Sequence, residues 1–322
     1  MDKPFELQFY ECLNERCELP TSVKNRLARQ QVGYEGHLDF INILRDNLPG
    51  HFVILNDIIY KLPYKFTQID SVLITEHAIY RFEVKNLLSE FTYKEGFWYR
   101  KGERLSRNFF TQVKRAGEIF EEIIQNDGLY LPVESQLVFI NEDDTVKIFD
   151  QENVSPYLMR WELRSYLKKV VEDSRGGSMN PKEVAKYLMS KATEGHLVVD
   201  VMDKKLRALA RSGILCENCD SWRVDVKSRR YHILCKNCGH QEPKQRAVLR
   251  TICDYGVLYH EWPLTKSSVT EFIGEPSLEY IIKRTLRNYF ELHSKGKAST
   301  YVNPAKRMKF AFKDEEFRYY SK

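Results

Sequence analysis

The stretch Gln68-Ile-Asp-Ser-Val-Leu-Ile-Thr-Glu-His-Ala-Ile-Tyr-Arg-Phe-Glu-Val-Lys85 decides how this chain is read. It holds two apolar-rich runs, Asp70 to Thr75 and Ile79 to Lys85, joined at Glu76-His77. Both are rich in Val, Ile, Tyr and Phe, which favours strands. An antiparallel hairpin centred on Glu76-His77 sets Thr75 opposite Ala78 and carries the pairing back to Asp70 opposite Glu83. Directly opposed residues share a face, with Cβ atoms about 5 Å apart. Lys85, two residues past Glu83, lies on that face too. Ser71, Leu73, Tyr80, Phe82 and Val84 take the other.

Close carboxylates repel unless one protonates or a cation lies between them. A hard divalent ion such as Mg²⁺ accepts one or two carboxylates and keeps several waters. A lysine beside it can stabilise charge on a phosphate, which makes the group suited to phosphodiester hydrolysis. The alternative is a surface hairpin with a cross-strand salt-bridge cluster, since Glu-x-Lys on its own is common.

At 322 residues, two or three domains are expected. Hydrophobic residues make up 43%, enough for sizeable cores. The net charge of +5 and a pI near 8.6 suit nucleic acid without demanding it. Met-Asp-Lys-Pro-Phe-Glu-Leu at the start is no basic region followed by an apolar one, so no signal peptide is expected. No run approaches the roughly 18 apolar residues of a membrane span. Seven cysteines, four of them in Cys-x-x-Cys pairs, point to a reducing, cytoplasmic compartment and a metal.

Outward from the hairpin, residues 1–31 read as an N-terminal helical segment broken at Glu18-Leu-Pro20, with Cys12 and Cys17 as ordinary thiols. Gly33-Tyr-Glu-Gly-His37 opens or interrupts a helix running to about Asn47, with Leu38, Ile41, Leu44 and Leu48 as its buried stripe. Glu35 lies near the edge of that stripe, either leaning over the sheet or exposed in the first turn. His51 to Tyr60 reads as a strand buried on both faces. Phe91 to Arg100 is a second hairpin turning at Lys94-Glu-Gly96. A helix follows from Asn108-Phe-Phe-Thr-Gln112 to about Gln125, with Gln112 beside its buried stripe. Gln136 to Asn141 and Val146 to Phe149 are two last strands around Glu142-Asp-Asp-Thr145. The result is a mixed sheet flanked by helices, one part of a multi-domain α/β chain.

The span from about 33 to 145 resembles the nuclease-related domain (NERD), a branch of the PD-(D/E)XK nuclease superfamily. The match rests on Gly33-x-Glu35-Gly36, Asp70 in Gln-Ile-Asp-Ser-Val-Leu-Ile, Glu83-Val-Lys85, and Asn108-x-x-x-Gln112. The resemblance implies that Asp70 and Glu83 bind Mg²⁺ or Mn²⁺, that Lys85 assists hydrolysis, and that Glu35 and Gln112 support the site. The family usually reads Gly-x-x-Gly-Glu, and here His37 stands where that last Glu belongs. Either Glu35 substitutes for it or His37 acts as a ligand.

Beyond residues 32–152, residues 153–213 read as helical, with Asp173-Ser-Arg-Gly-Gly-Ser178 as the clearest linker. A helix from about Val199 to Ser212 bears Lys204, Lys205, Arg207 and Arg211, a solvated face or a phosphate-following one. In 214–242, Cys216-Glu-Asn-Cys219 and Cys235-Lys-Asn-Cys238 lie fifteen residues apart. Such knuckles bring four thiolates to a structural Zn²⁺ in a zinc ribbon; disulfides are the alternative. His240 is spare. Trp222, Arg223, Arg229, Arg230, Tyr231 and His232 interleave aromatic and basic groups as nucleic-acid surfaces do, although ribbons also bind proteins. Residues 243–322 give a short helix, a longer basic helix with Lys283, Arg284 and Arg287, then strands at Thr300-Tyr-Val302 and Met308 to Phe312. That is a winged-helix order, with Lys295 and Lys297 near phosphates; the alternative is a helical cap on the ribbon.

The leading functional expectation is a metal-dependent DNA nuclease gripping its substrate through the C-terminal modules. A degenerate nuclease fold acting as a DNA-binding or regulatory protein is the second, and an RNA-directed nuclease the third. A protein partner or a homo-oligomer is compatible with each, and a membrane with none.

Overall fold

A computed structural model describes residues 3–125, 131–143, 145–150, 154–193, 201–294 and 299–303. The chain divides into two compact units, Gln30–His196, and Asp2–Arg29 together with Leu197–Lys322.

Helix α1 (Phe5–Arg16) and helix α2 (Thr21–Asn47) open the chain, separated by the expected break at Pro20. Gly33 and Gly36 neither open nor interrupt a helix, because α2 runs through both. Then come β1 (Val53–Leu62), β2 (Lys65–Ile74), β3 (Ile79–Lys85), β4 (Phe91–Lys94), β5 (Phe97–Arg100) and β6 (Glu103–Arg104). Helix α3 (Phe109–Gln125), β7 (Val133–Phe139), β8 (Val146–Ile148), β9 (Tyr157–Met159), α4 (Leu163–Asp173) and α5 (Pro181–Lys191) complete the first unit.

Its main sheet runs β1-β2-β3-β7-β9. The first three strands are antiparallel, and β7 and β9 join in parallel, so the sheet is mixed as expected. The central hairpin pairs Ile74 with Ile79 and Ser71 with Phe82, the register that the turn at Glu76-His77 dictates. Leu73, Tyr80, Phe82 and Val84 bury against Phe40 and Leu44 of α2 and Leu163 and Leu167 of α4. On the opposite face, Val72, Ile74 and Ile79 pack on Ile119 and Phe120 of α3 and Leu188 of α5.

Several readings are corrected here. Strand β1 is not buried on both faces: it is an edge strand whose residues 53–57 are only half-buried. Its apolar run packs mainly on the α3 and α5 side through Ile58 and Tyr60, with Ile54 on the other face, and Ile59 bridges Thr193 along its edge. The strands at 133–139 and 146–148 do not share a sheet. Strand β8 joins a second sheet, β6-β5-β4-β8, parallel to β4. Strand β9 is too short to be legible and was absorbed into the following helix. Asp173–Ser178 does not act as a free linker. Met179 N–H donates to the Glu76 carbonyl at 2.9 Å, and a Cβ at Gly177 would run into that same carbonyl.

In the second unit, α1 packs with α6 (Val201–Leu209) and α7 (Lys244–Leu258). Tyr10 donates to Asp203 at 2.8 Å and Arg16 pairs with Asp254 at 2.7 Å. Helix α6 is shorter than expected, and Arg207 is not part of a solvated face. It is buried, donating to the Leu258 carbonyl and pairing with Glu261. Strands β10 (Val224–Asp225), β11 (His232–Cys235) and β12 (Gln241–Pro243) form one small antiparallel sheet. After α7 come β13 (Leu264–Thr265), α8 (Lys266–Ile273), α9 (Glu279–Tyr289), β14 (Leu292–Ser294) and β15 (Thr300–Tyr301). Helix, strand, two helices and two strands, with the sheet ordered β13-β15-β14, follow the element order expected from the sequence. Lys295, Lys297 and the strand expected at Met308–Phe312 lie outside the described residues.

Candidate active site and metal centre

The ladder between β2 and β3 stops at Ser71 and Phe82. One residue further, Asp70 Oδ2 accepts the Val84 N–H at 2.8 Å, so a side chain replaces the next backbone bond. That bond fixes the carboxylate beside Glu83. Glu83 is 3% exposed, and its Oε1 accepts from Lys85 Nζ at 2.7 Å and from Gln112 Nε2 at 2.6 Å. Glu83 Oε2 and Asp70 Oδ1 accept no hydrogen bond from the described residues. Burial pushes the Asp70 carboxyl above its usual range, and repulsion from Glu83 adds to this, with His37 and Lys85 opposing.

A surface salt-bridge cluster does not look like this. Holding two carboxylates, one of them buried, beside Lys85 and the buried Arg81 guanidinium carries a desolvation cost that the pairing must offset. Such destabilising arrangements are characteristic of functional sites.

Helix α2 reaches the site because of Gly36. A Cβ there would come within 2.5 Å of Asn86 Cβ. The Asn86 amide donates to the Val32 carbonyl at 2.9 Å and accepts from Asn141, so α2 is pinned to the exit of β3. The next residue, His37, then stands with Nε2 3.8 Å from Asp70 Oδ2. That is too long for a hydrogen bond and is a distance that a bridging water or ion spans. Glu35 is exposed and makes no hydrogen bond or ion pair with the described residues. The structure therefore brings together Asp70, Glu83, Lys85, Gln112 and His37, and leaves Glu35 outside.

Arg81 was not foreseen. It is fully buried on the Glu83 face, donating to the Val113 carbonyl at 2.6 Å and to Ser135 Oγ at 3.1 Å. Desolvation lowers its pKa, while Glu83 and Asp70 raise it. The signal was available: 81, 83 and 85 alternate onto one side of the strand. Arg81 ties β3 to the helix that carries Gln112.

The four ribbon cysteines form the second site. All four Sγ atoms lie within 4.8 Å of one another, with Cys216–Cys238 at 3.6 Å and Cys219–Cys235 at 3.7 Å. Zn–S bonds of about 2.3 Å in a tetrahedron imply S···S near 3.8 Å, so the donor set fits a zinc ion. The two knuckles repeat one design. The Asn218 amide reaches Cys238 Sγ at 3.6 Å, and the Asn237 amide reaches Cys219 Sγ at 3.5 Å. Each second cysteine is followed by a positive-φ residue, Asp220 or Gly239. The His240 N–H is the main cause holding the Cys238 thiol down at about 6, where thiolate is available to a cation. Among the described residues, no other group brings three or more His, Cys, Asp or Glu ligand atoms so close.

Of the expected nucleic-acid contacts, Arg229, Arg230 and Tyr231 are exposed beside the ribbon. Lys283, Arg284 and Arg287 are exposed on α9, whose other side buries Ile282 and Leu286. Trp222 is engaged instead by Arg16 and Arg211.

A mixed sheet covered by helices, with two carboxylates and a lysine at the end of a central hairpin, is consistent with a nuclease-like fold. Residues 32–140 match the family model described as NERD, nuclease-related domain, so the chain carries a nuclease-related domain with a four-cysteine cluster C-terminal to it. No curated protein and no solved structure matches the chain. No helix among the described residues is long and apolar enough to cross a membrane.

Proposed function

We propose that the chain is a divalent-metal-dependent nuclease hydrolysing phosphodiester bonds of DNA. One observation carries the reading: buried Glu83 and half-buried Asp70 sit on one face, each with one carboxylate oxygen that accepts no hydrogen bond from the described residues, beside Lys85. Two such oxygens suit Mg²⁺ or Mn²⁺, with water filling the remaining positions. A divalent ion held there polarises a phosphate and acidifies a bound water.

The chain's own groups divide the remaining work. Asp70 Oδ1 and Glu83 Oε2, which accept no hydrogen bond from the described residues, are the atoms that would hold the ion. Gln112 fixes the Glu83 carboxylate from α3. Lys85, now on Glu83 Oε1, would pass to a phosphate oxygen and stabilise charge that grows as the bond breaks. His37 supplies a third polar group from α2, and imidazole favours Mn²⁺ and later transition ions over Mg²⁺. The four cysteines hold zinc as a structural element, since four protein ligands close its shell.

The test uses plasmid, linear DNA and RNA, each incubated with Mg²⁺, with Mn²⁺ and without added divalent ion. The expected result is metal-dependent DNA cleavage that Lys85→Ala slows at least about 100-fold, in line with loss of one charge-stabilising group. Cleavage of none of the three in any metal, or equal cleavage by Lys85→Ala, contradicts the reading. RNA cleaved in preference to DNA overturns the substrate and leaves the chemistry.

A further inference from the structure

The second sheet of the nuclease unit has no part in the chemistry, yet with the start of α3 it carries the most uneven charge in that unit. Lys94, Arg100, Lys101 and Arg104 are exposed on the β4-β5-β6 ribbon. Arg107, Lys114 and Arg115 are exposed just before and within α3. Against these seven stand two acids, Glu95 and Glu103, so residues 94–115 hold a net +5, equal to that of the whole chain. The remaining 300 residues are balanced in formal charge.

None of the seven makes an ion pair with a described residue. Instead, Lys94 lies over Tyr99, Arg100 over Phe91, and Arg104 over Phe97, at 5.1, 5.9 and 3.4 Å from the ring centroids. Phe97 is itself 40% exposed. Cations held on aromatic faces and left without carboxylates pair with anions from outside the chain.

The ribbon is also fixed relative to the catalytic group. The Asn108 amide donates to the Gly96 carbonyl at 3.2 Å, and its Oδ1 caps α3 through the N–H groups of Phe110 and Thr111. Trp98 packs fully buried on Phe109 and Phe110. One turn into α3, Gln112 holds Glu83, and Arg115 follows three residues later on the same side. Lys85 Nζ lies 6.0 Å from the Phe109 ring.

We propose that the β4-β5-β6 ribbon and the start of α3 form the track on which a nucleic-acid strand lies, its phosphates on Arg100, Lys101, Arg104, Arg107 and Arg115 and a base against Phe97, leading to Lys85 and Glu83. The proposal rests on the nuclease reading for where the track leads, and on charge and geometry for what binds it. Spaced cations with an exposed ring fit a polyphosphate backbone bearing bases better than they fit a membrane surface, which needs no stacking platform.

The full-length protein is titrated against fluorescently labelled single-stranded DNA, duplex DNA and RNA without added divalent ions, so binding is read apart from cleavage. Arg100→Gln/Lys101→Gln/Arg104→Gln is compared with Lys169→Gln/Lys182→Gln/Lys186→Gln, three exposed lysines elsewhere on the same unit. The track variant is expected to bind at least ten-fold more weakly. The slope of log affinity against log salt should fall by about 2–3, the release from three phosphates. The control variant should change binding less than about two-fold. Arg107→Gln/Arg115→Gln should weaken binding again, and an unchanged melting temperature separates contact loss from misfolding. Equal losses in the track and control variants overturn the proposal, as does wild-type binding by the track variant. Binding to anionic vesicles with none to nucleic acid also overturns it. Absence of cleavage in Mg²⁺ with this binding pattern intact sinks the nuclease reading and leaves the track.

Discussion

Asp70 shows how a single side chain is made costly to the fold for the sake of its site. Its carboxyl is held above the usual range, first by burial and then by Glu83. A group whose folded pKa is raised is disfavoured once ionised, so its charge destabilises the metal-free protein at neutral pH. That penalty fades as pH falls through the raised value and is gone below the ordinary carboxylate range. Asp70→Asn keeps an acceptor for the Val84 N–H and removes the charge. Without divalent ions it should melt above wild type at pH 7 and level with it near pH 3, as thermal unfolding at both values will tell. By the same shift, affinity for a divalent ion should weaken on acidification at a pH above that of an ordinary aspartate. At the opening of the site, His37→Glu restores the carboxylate usual in the family. It should move the ratio of Mg²⁺- to Mn²⁺-supported cleavage about ten-fold toward Mg²⁺. No change in that ratio would mean that His37 does not face the ion.

At the level of elements, the hairpin was legible because a two-residue centre and alternation fix its register, and register alone sets which residues share a face. Gln112 was legible from its place beside the apolar stripe of α3. The choice between Glu35 and His37 was not legible, because sequence spacing does not say how close a helix comes to a sheet. Gly36 sets that approach, and it aims His37, not Glu35, at Asp70. Gly36→Ala should therefore cost about 1–3 kcal/mol, the range for overpacking a tight contact, and lower cleavage together with stability. Strand β9 and the split of β7 from β8 were illegible for another reason: strands of three residues carry no period to read. In the ribbon, the two Cys-x-x-Cys pairs announced the four-cysteine cluster, but not that each Asn amide crosses to the opposite knuckle. Asn218→Ala with Asn237→Ala should weaken zinc binding roughly 10–100-fold, as loss of outer-shell partners does. A chelator competition assay measures it. Zinc content below about one ion per chain in wild type would contradict the ribbon's role.

For the molecule as a whole, composition said little and distribution says more. A net charge of +5 is modest for a nucleic-acid protein, and most charges are balanced. One concentration lies at residues 94–115 beside the carboxylates, and the four-cysteine region and the C-terminal helix α9 present exposed basic groups of their own. The nuclease-related domain occupies residues 32–140, and the proposed track at residues 94–115 lies within it, beside the carboxylates. The measurement that bears most directly on the central claim is the single-turnover cleavage rate of DNA in Mn²⁺ and Mg²⁺ by wild type, Asp70→Asn and Glu83→Gln. Both variants should lose about 10³-fold in rate, roughly 4 kcal/mol of transition-state stabilisation, with Asp70→Asn melting no lower than wild type. Variants that fold and cut within a few-fold of wild type would show that these two carboxylates are not the seat of the chemistry.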